Sequence, residues 1–215
     1  MKPDTQTTAV MVFARAPIPG QVKTRLIPTL GEAGAATLHA AMLEYTLHKV
    51  SRLADTAIRL YCQGDMQHPV FRRATDRYTL SLYPQQGADL GERMANAFAE
   101  SLAHYQKVLV VGCDCPALTP NDLHNAINAL DDHEAVITPA HDGGYVLLGL
   151  RRFSPRIFTD IDWSTGRVFE QTAAQLDAAG LRWRALEPRQ DIDRPDDLIH
   201  CPEHLLTGVR NEMAG

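Results

Sequence analysis

Asp114 has the most informative position for chemistry in this chain, because it follows directly on an apolar run. The run is Val108–Gly112, and Pro116 closes the turn that carries the aspartate. An unbroken series of Val and Leu is typical of a central strand covered on both faces. Ligands of open α/β sheets bind beyond the carboxyl ends of such strands. A carboxylate there could hold a divalent cation against a phosphate, or it could only cap the turn into the next helix.

A second candidate is the loop after the first predicted strand, within the segment FARAPIPGQVKTRL. Arg15, Lys23 and Arg25 supply positive charge and forked donors, and Gly20 lets backbone N–H groups approach a phosphate. The loop has neither the Walker A nor the dinucleotide glycine pattern. We therefore expect a phosphate-binding loop of another type, with a solvated basic loop as the alternative.

Two later turns also carry acids. In His141–Gly144, Asp142 could bind acceptor hydroxyls or act as a base, or it could only start a tight turn through its own backbone. In Asp191–Asp193, the two aspartates could complement the dipole of the next helix. Each cluster follows a predicted strand, and parallel strands bring such clusters to one edge of a sheet. That convergence predicts a site.

Three further residue types allow more than one interpretation. Arg93 could reach a phosphate or a base, or it could be a solvated residue in the first turn of a helix. Trp163 could stack on a sugar or base, or pack over the core. Cys113 and Cys115 flank Asp114, but zinc normally takes four ligands and the chain has no second Cys pair. We expect both cysteines to be small buried residues.

Strand-like and helix-like segments alternate along the chain, which predicts an α/β fold with a mostly parallel sheet and helices on both faces. The predicted strands are Thr8–Ala14, Ala57–Cys62, Thr79–Tyr83, Val108–Gly112, Ala135–Pro139, Tyr145–Leu150 and Arg182–Leu186. The predicted helices are Glu32–Leu53, Gln67–Asp76, Asp89–His104, Asn121–Leu130, Gly166–Ala179 and a last one that opens at Pro195–Leu198. The segment Arg15–Leu30 is predicted to be a loop, and residues 1–215 to form a single domain.

Composition excludes several classes of protein. The 215 residues are 45% hydrophobic and 22% charged, as in ordinary soluble globular proteins. The net charge of −5 argues against a general nucleic-acid binder. No apolar run is long enough to span a bilayer and no secretion signal is evident, so we expect a cytoplasmic protein. The oligomeric state is left open.

Five segments together resemble the DUF2064 family of small bacterial glycosyltransferase-like proteins. They are FARAPIPGQVKTRL, GADLGERM, VGCDCPAL, PAHDGGYVLLGL and DIDRPDDL. The resemblance runs from about Val10 to Leu198 and implies a GT-A fold, which is Rossmann-like with a mixed, mostly parallel sheet. The wider superfamily includes nucleotide-sugar glycosyltransferases and nucleotidylyltransferases.

The resemblance also implies roles for particular residues. Asp114 stands where the superfamily places a metal-binding aspartate, although the motif here is Asp-Cys-Pro and not Asp-x-Asp. Arg194 stands where many nucleotidylyltransferases have a helix-capping Thr. The predicted catalytic residues are Asp114, Lys23 and Asp142; the nucleotide-binding residues are Ala14, Arg15, Gly20, Lys23, Arg25 and Arg93; the acceptor-binding residues are Asp142, Gly143, Gly144 and Trp163; the metal ligands are Asp114 and Asp193.

The leading hypothesis is a transferase dependent on Mg²⁺ or Mn²⁺ that uses a nucleotide-activated donor, with a nucleotide sugar as the favoured donor. A nucleotidylyltransferase is the closest alternative, because a loop with Lys and Arg also suits a triphosphate. A non-catalytic nucleotide-binding module is the third. In each case the expected partner is a small-molecule nucleotide or nucleotide sugar, and in the catalytic cases also an unknown acceptor.

Overall fold

Seven strands form one sheet in the computed structural model, which describes residues 6–213, with side chains up to residue 209. The strands are β1 Thr8–Arg15, β2 Thr56–Gln63, β3 Ser81–Pro84, β4 Lys107–Gly112, β5 Ala135–Pro139, β6 Tyr145–Leu150 and β7 Trp183–Ala185. Their order across the sheet is β3-β2-β1-β4-β6-β5-β7. Only β6 is antiparallel to its neighbours, so the predicted mostly parallel mixed sheet is confirmed.

The helices lie on both faces of the sheet. They are α1 Ile27–Val50, α2 Pro69–Arg77, α3 Leu90–Leu102, α4 Pro120–Asp132, α5 Val168–Ala178 and α6 Glu203–Met213. Short 3₁₀ helices span Thr24–Leu26, Pro155–Phe158 and Pro195–His200. No helix in the described part of the chain is both long and apolar enough to cross a membrane.

Burial on both faces explains why the central strands are apolar without alternation. Val10 and Val12 of β1 pack in one core cluster with residues of α1, α2 and α4. Met11 and Phe13 point to the other face and pack with residues of α3 and α5. Because every side chain of such a strand enters a core, polar residues are pushed to its ends, where the loops carry them.

The predicted loop Arg15–Leu30 is wrong over its last part. A 3₁₀ turn and then the first turn of α1 begin well before the predicted helix start at Glu32, because Pro28 occupies a first-turn position that tolerates proline. Gly31 then breaks the helix with φ 70° and ψ 168°, and a regular helix resumes beyond it. The periodicity therefore predicted the regular part and missed the turn before the kink.

The last predicted helix is also wrong in form. Pro195 opens a 3₁₀ helix that stops at His200, and α6 begins separately after Pro202, which cannot continue a helix. The predicted loss of a capping side chain at Arg194 is compensated, because the carboxylate of Asp197 accepts from the N–H of Arg194 at 2.7 Å. The other predicted helices and strands are present, with slightly different ends.

The topology brings the four polar clusters to one edge of the sheet, as predicted. Both β4 and β5 are antiparallel to β6, so they run in the same direction, and β1 and β7 run parallel to them. The loops after these four strands therefore meet at their carboxyl ends. Direct contact supports this arrangement: the N–H of Ile192 donates to the carbonyl of Asp114 at 2.8 Å.

Candidate active site

Lys23 is buried in the loop after β1 and contacts residues of the loops after β4 and β7. Its side chain is only 3% exposed, and its ammonium lies 3.0 Å from Asp114 Oδ1 and 3.9 Å from Asp193 Oδ1. It also donates to the carbonyl of Ile192. Burial is the largest single effect and lowers the pKa of Lys23, but the charge and hydrogen bond of Asp114, together with smaller contributions that include Asp193, outweigh it, so the pKa is raised. Lys23 is therefore a charged residue that holds the Asp114 carboxylate in place.

Asp114 presents its carboxylate partly to solvent, with 49% of the side chain exposed. Burial of the group opposes ionisation, but the charge and hydrogen bond of Lys23 favour it, so the pKa of Asp114 is lowered. Its Oδ1 atom faces Lys23 and His39, whereas Oδ2 has no protein partner among residues 6–209. An ionised oxygen without a protein partner is available to a cation or a ligand.

His39 was missed by the sequence reasoning and belongs to this site. It lies on α1, with Nδ1 3.8 Å from Asp114 Oδ1 and Nε2 3.2 Å from the carbonyl oxygen of Arg15. Burial lowers the pKa of His39, and a carbonyl can only accept, so Nε2 carries the proton of a neutral ring. A polar ring among the buried apolar residues of α1 was the available signal.

Cys113 completes a small cluster with His39 and Asp114. Its Sγ lies 3.8 Å from His39 Nδ1 and 3.7 Å from Asp114 Oδ1. Within the described residues, these three alone form a group of His, Cys or acidic side chains with ligand atoms all within 4.8 Å of one another. Burial raises the pKa of Cys113 well above its ordinary value, so it stays a thiol. Cys113 and Cys115 are both buried and free, as predicted.

A cavity of about 530 Å³ opens beside Asp114 at the carboxyl edge of the sheet. Of the predicted site residues, it is lined by Ala14, Arg15, Arg93, Asp114 and Trp163. The other predicted residues do not line the cavity: Gly20, Lys23, Arg25, Asp142, Gly143, Gly144 and Asp193. Of these, Lys23 contacts a cavity residue directly, through its ion pair with Asp114.

Asp191 is a second carboxylate of the cavity, and the sequence reasoning gave it no ligand role. Burial raises its pKa to about 6, and the carboxylates of Asp142 and Asp114 act in the same direction. Three acidic side chains from three loops are therefore close enough to influence one another. A cation bound among these carboxylates would offset their mutual repulsion.

Asp193 is paired with the basic loop in this structure. Its carboxylate contacts the guanidinium of Arg25 and lies near the Lys23 ammonium. Arg25 is 54% exposed, so that pair is largely solvated. A metal-binding role for Asp193, and phosphate contacts of Lys23 and Arg25, stay predictions.

Arg93 organises the loop that borders the cavity. Its Nε donates to the carbonyl of Gly87 at 3.1 Å. Asp89 caps α3 by accepting from the N–H of Glu92 at 2.8 Å. The Glu92 side chain returns to the N–H of Ala88 at 2.8 Å. This network places one side of the Arg93 guanidinium on the loop and leaves Nη1 without a hydrogen-bond partner in the described chain.

Trp163 packs over the core, one of the two alternatives that the sequence left open, and its stacking on a sugar or base stays a prediction. Its indole packs against Gly91 at the start of α3, where an added Cβ would lie 2.6 Å from Nε1. It also lines the cavity, together with Tyr145 and Met94. The close approach of Trp163 to the helix therefore depends on glycine at position 91 and adds an aromatic side chain to the cavity lining.

The turn after β5 is shaped by Asp142 and Gly143. Asp142 Oδ1 accepts from the N–H of Gly144 at 2.9 Å, so the turn-initiating interpretation is confirmed. Gly143 has φ 89°, and an added Cβ would lie 2.1 Å from the carbonyl oxygen of Gly166. Glycine is therefore required at this position, and a further role of Asp142 toward an acceptor stays a prediction.

The donor set fits a divalent cation that prefers oxygen ligands. Asp114 and Asp191 both line the cavity with carboxylates, and Asp142 lies close to Asp191. Mg²⁺ is typically held by one or two carboxylates, with water and substrate phosphates as the other ligands. A softer metal would need the Cys113 thiolate, which burial disfavours.

Comparison with known proteins decides the family. The model of the family described as "Uncharacterized protein conserved in bacteria (DUF2064)" matches residues 46–165. This chain belongs to the DUF2064 family. A proposed nucleotide-diphospho-sugar transferase from Desulfovibrio desulfuricans G20 is 32% identical, with a TM-score of 0.84 over 90% of this chain and 85% of that protein. No curated protein matches the chain.

More distant structures share the fold. A 4-diphosphocytidyl-2C-methyl-D-erythritol synthase from Anaerococcus prevotii DSM 20548 is 13% identical, with a TM-score of 0.58 over 93% of this chain and 98% of that one. A CMP:2-keto-3-deoxy-manno-octonic acid synthetase in complex with CTP is 10% identical, with a TM-score of 0.58 over 96% and 99%. The structural neighbours of this DUF2064 chain are thus nucleotide-using transferases.

Proposed function

We propose that this protein is a transferase dependent on a divalent metal that uses a nucleotide sugar as its donor. The observation that carries the proposal is the position of the Asp114 carboxylate. Lys23 forms an ion pair with Oδ1, and Oδ2 has no partner in the described chain beside a cavity of about 530 Å³. The position at the carboxyl edge of an α/β sheet is the expected one for a ligand. The identity of 32% to a proposed nucleotide-diphospho-sugar transferase supports the donor class.

The cavity offers complementary groups for a diphosphate. Arg15 and Arg93 line it with guanidinium groups, and Asp114 and Asp191 line it with carboxylates. Mg²⁺ or Mn²⁺, held by Asp114 and Asp191, supplies charge neutralisation on the diphosphate when bound. The two arginines stabilise the charge that grows on the leaving nucleoside diphosphate.

Lys23 contributes by positioning. Its ammonium fixes Asp114 Oδ1 at 3.0 Å and joins the loop after β4 to the loop after β7 through Ile192. The carboxylate therefore does not need to be reoriented when the donor binds, and this preorganisation lowers the entropic cost of reaching the transition state. The His39 ring, which is carried by α1, lies beside the same carboxylate oxygen, Asp114 Oδ1.

The acceptor is assigned to the side of the cavity that Trp163 lines; the Asp142 turn lies outside the cavity lining, within electrostatic range of Asp191. An aromatic ring with a partly exposed face suits the apolar face of a sugar or a similar acceptor. Asp142 uses Oδ1 for its turn, and Oδ2 has no partner in the described chain. In an inverting transfer, Asp142 would take the acceptor proton through that oxygen.

Nucleotidyl transfer is the second candidate, and the cations of the cavity favour it. Arg15 lines the cavity without an ion-pair partner in the described chain, and Arg93 keeps Nη1 free, so two forked donors are available to a triphosphate. One neighbour of the same fold was solved with CTP. In this reaction an acceptor phosphate attacks the nucleoside triphosphate and pyrophosphate leaves.

Product analysis tests the proposal and separates the two reactions. The protein is incubated with nucleotide sugars and nucleoside triphosphates, with Mg²⁺ or Mn²⁺, in the presence of candidate acceptors, and the products are identified by mass. Release of nucleoside diphosphate indicates sugar transfer, whereas release of pyrophosphate indicates nucleotidyl transfer. Asp114→Asn should abolish either product, whereas Asp76→Asn, an exposed aspartate on α2, serves as the matched control.

A third result would contradict both reactions. If nucleotides stabilise the protein against unfolding without any dependence on metal, and no donor is turned over, the chain is a binding module. Loss of turnover in both Asp114→Asn and Asp76→Asn would also contradict the assignment of Asp114.

A further inference from the structure

Gln85 has a side-chain amide with a single permitted orientation. It directly follows β3, and its Nε2 lies 3.2 Å from the carbonyl oxygen of Ala14 and 3.0 Å from that of Tyr61. Its backbone N–H also donates to the carbonyl of Cys62 at 2.9 Å. A carbonyl oxygen only accepts, so the NH₂ group must face both carbonyls. The Oε1 atom is therefore fixed on the opposite side.

That oxygen is a free acceptor beside the cavity. Gln85 is half-buried and lines the cavity, and Oε1 has no hydrogen-bond partner in the described part of the chain. Both amide protons are already used, so Gln85 can offer a ligand only an acceptor. An acceptor that loses water without gaining a donor is costly, so a ligand at this point must donate a hydrogen bond.

The surroundings of Gln85 suit the base of a nucleotide. The sheet order places β2 and β3, the strand that Gln85 follows, on the side of β1 away from β4, whose loop carries Asp114. A ligand with phosphates at Asp114 would thus extend its nucleoside toward Gln85. Leu90 also lines the cavity and is 42% exposed, one of two exposed large apolar side chains among the described residues. It offers apolar surface to a planar ring.

We propose that Gln85 reads the nucleobase of the donor and selects a base with an exocyclic amino group. This proposal rests on the proposed function, because it assumes that the cavity binds a nucleotide. An amino group donates to the fixed Oε1 atom, whereas an oxo group at the same position would place its lone pairs against it. The amide of Gln85 cannot flip to donate, since that would bring Oε1 against the two backbone carbonyls.

Matched nucleotide pairs test this selection. Dissociation constants are measured by calorimetry with Mg²⁺ for CTP against UTP, ATP against ITP, and GTP against ITP, which differ at an exocyclic amine. The amino member of at least one pair should bind roughly tenfold or more tightly, the size expected for one unpaired acceptor. Gln85→Met should bring that ratio to within about twofold. Gln86→Met, an exposed neighbour outside the cavity lining, should keep it.

A measurement on the unchanged protein covers the case in which Gln85→Met does not fold. The dimethylamino analogue of the preferred nucleotide keeps the ring and lacks the donor protons, so it should bind as weakly as the member of the pair without the amino group. Equal binding within every pair, or an amino preference that survives in Gln85→Met, would overturn the role of Gln85 while leaving nucleotide binding intact. If no nucleotide binds at all, the proposed function itself fails, and the role of Gln85 with it.

Discussion

Replacing Lys23 by methionine should destabilise the fold by about 1–3 kcal/mol, because one buried cation serves three loops. The substitution removes the ion pair at 3.0 Å to Asp114 and the hydrogen bond to the Ile192 carbonyl, and it leaves that carbonyl without its donor. A fully buried pair would cost about 3–5 kcal/mol to break. The lower figure applies because Asp114 is 49% exposed and water can still solvate its charge.

Urea denaturation of Lys23→Met, Asp114→Asn and the double variant measures this effect. The coupling free energy between the two positions should be about 1 kcal/mol, since each partner loses its value when the other is absent. Arg77→Met is the matched control, because Arg77 forms its ion pair with Glu44 at 65% exposure and should cost less than about 1 kcal/mol. Our reasoning would be refuted by additive effects in the double variant, or by an unchanged stability of Lys23→Met.

The pH dependence of the same variant has a definite sign. The pKa of Asp114 is lowered in the folded protein, so its ionic contribution is present above the ordinary value of 3.8 and is lost as the pH falls through the folded value. The pKa of Lys23 is raised, so its contribution is present below 10.5 and is lost as the pH rises beyond the folded value. The free energy of unfolding should therefore differ most between wild type and Lys23→Met at pH values between these two limits. The difference should become smaller at lower and at higher pH.

Three other outcomes are expected from the structure. Asp114→Asn should reduce turnover at least ~100-fold in the product assay, as for loss of a key electrostatic group, while near-native circular dichroism shows that the fold is kept. Gly143→Ala should cost about 2–4 kcal/mol in urea denaturation, because the new Cβ would lie 2.1 Å from a backbone oxygen, whereas Gly180→Ala, with positive φ but open space, should cost only about 1 kcal/mol. Lys49→Met should destabilise the Asp114 loop by about 2–4 kcal/mol, because Lys49 Nζ bonds three of its carbonyls, at 3.3, 3.1 and 2.6 Å. Burial lowers the pKa of Lys49 from 10.5 to about 8, so the unfolded chain binds more protons between these values and wild type should gain stability relative to Lys49→Met as the pH rises through them. Full activity of Asp114→Asn would contradict its proposed role. Equal losses of stability in Gly143→Ala and Gly180→Ala would contradict the steric argument. A stability difference between wild type and Lys49→Met that stays constant between pH 8 and 10.5 would contradict the lowered pKa of Lys49.

Local patterns in the sequence were sufficient for the fold and for the place of the site. The apolar run before Asp114 predicts a strand covered on both faces, because every one of its side chains must enter a core. Acidic and basic side chains follow four of the predicted strands. They predict a common site at one edge of the sheet, because parallel strands end on the same side. Both inferences use interactions between residues that are close in sequence, or a rule about strand direction, and neither needs the identity of distant partners.

Only the tertiary structure decided which atoms meet. Lys23 and Ile192 are 169 positions apart. No periodicity in the chain indicates that this lysine is buried against the loop after β7 whereas Arg15 faces the cavity. His39 joins the site from the middle of a helix, where its polar ring had no motif to mark it. The orientation of Gln85 depends on the carbonyls of two strands that precede it by many residues. Partner choice of this kind is set by three-dimensional packing and by the need to satisfy buried polar groups, and these are properties of the assembled chain.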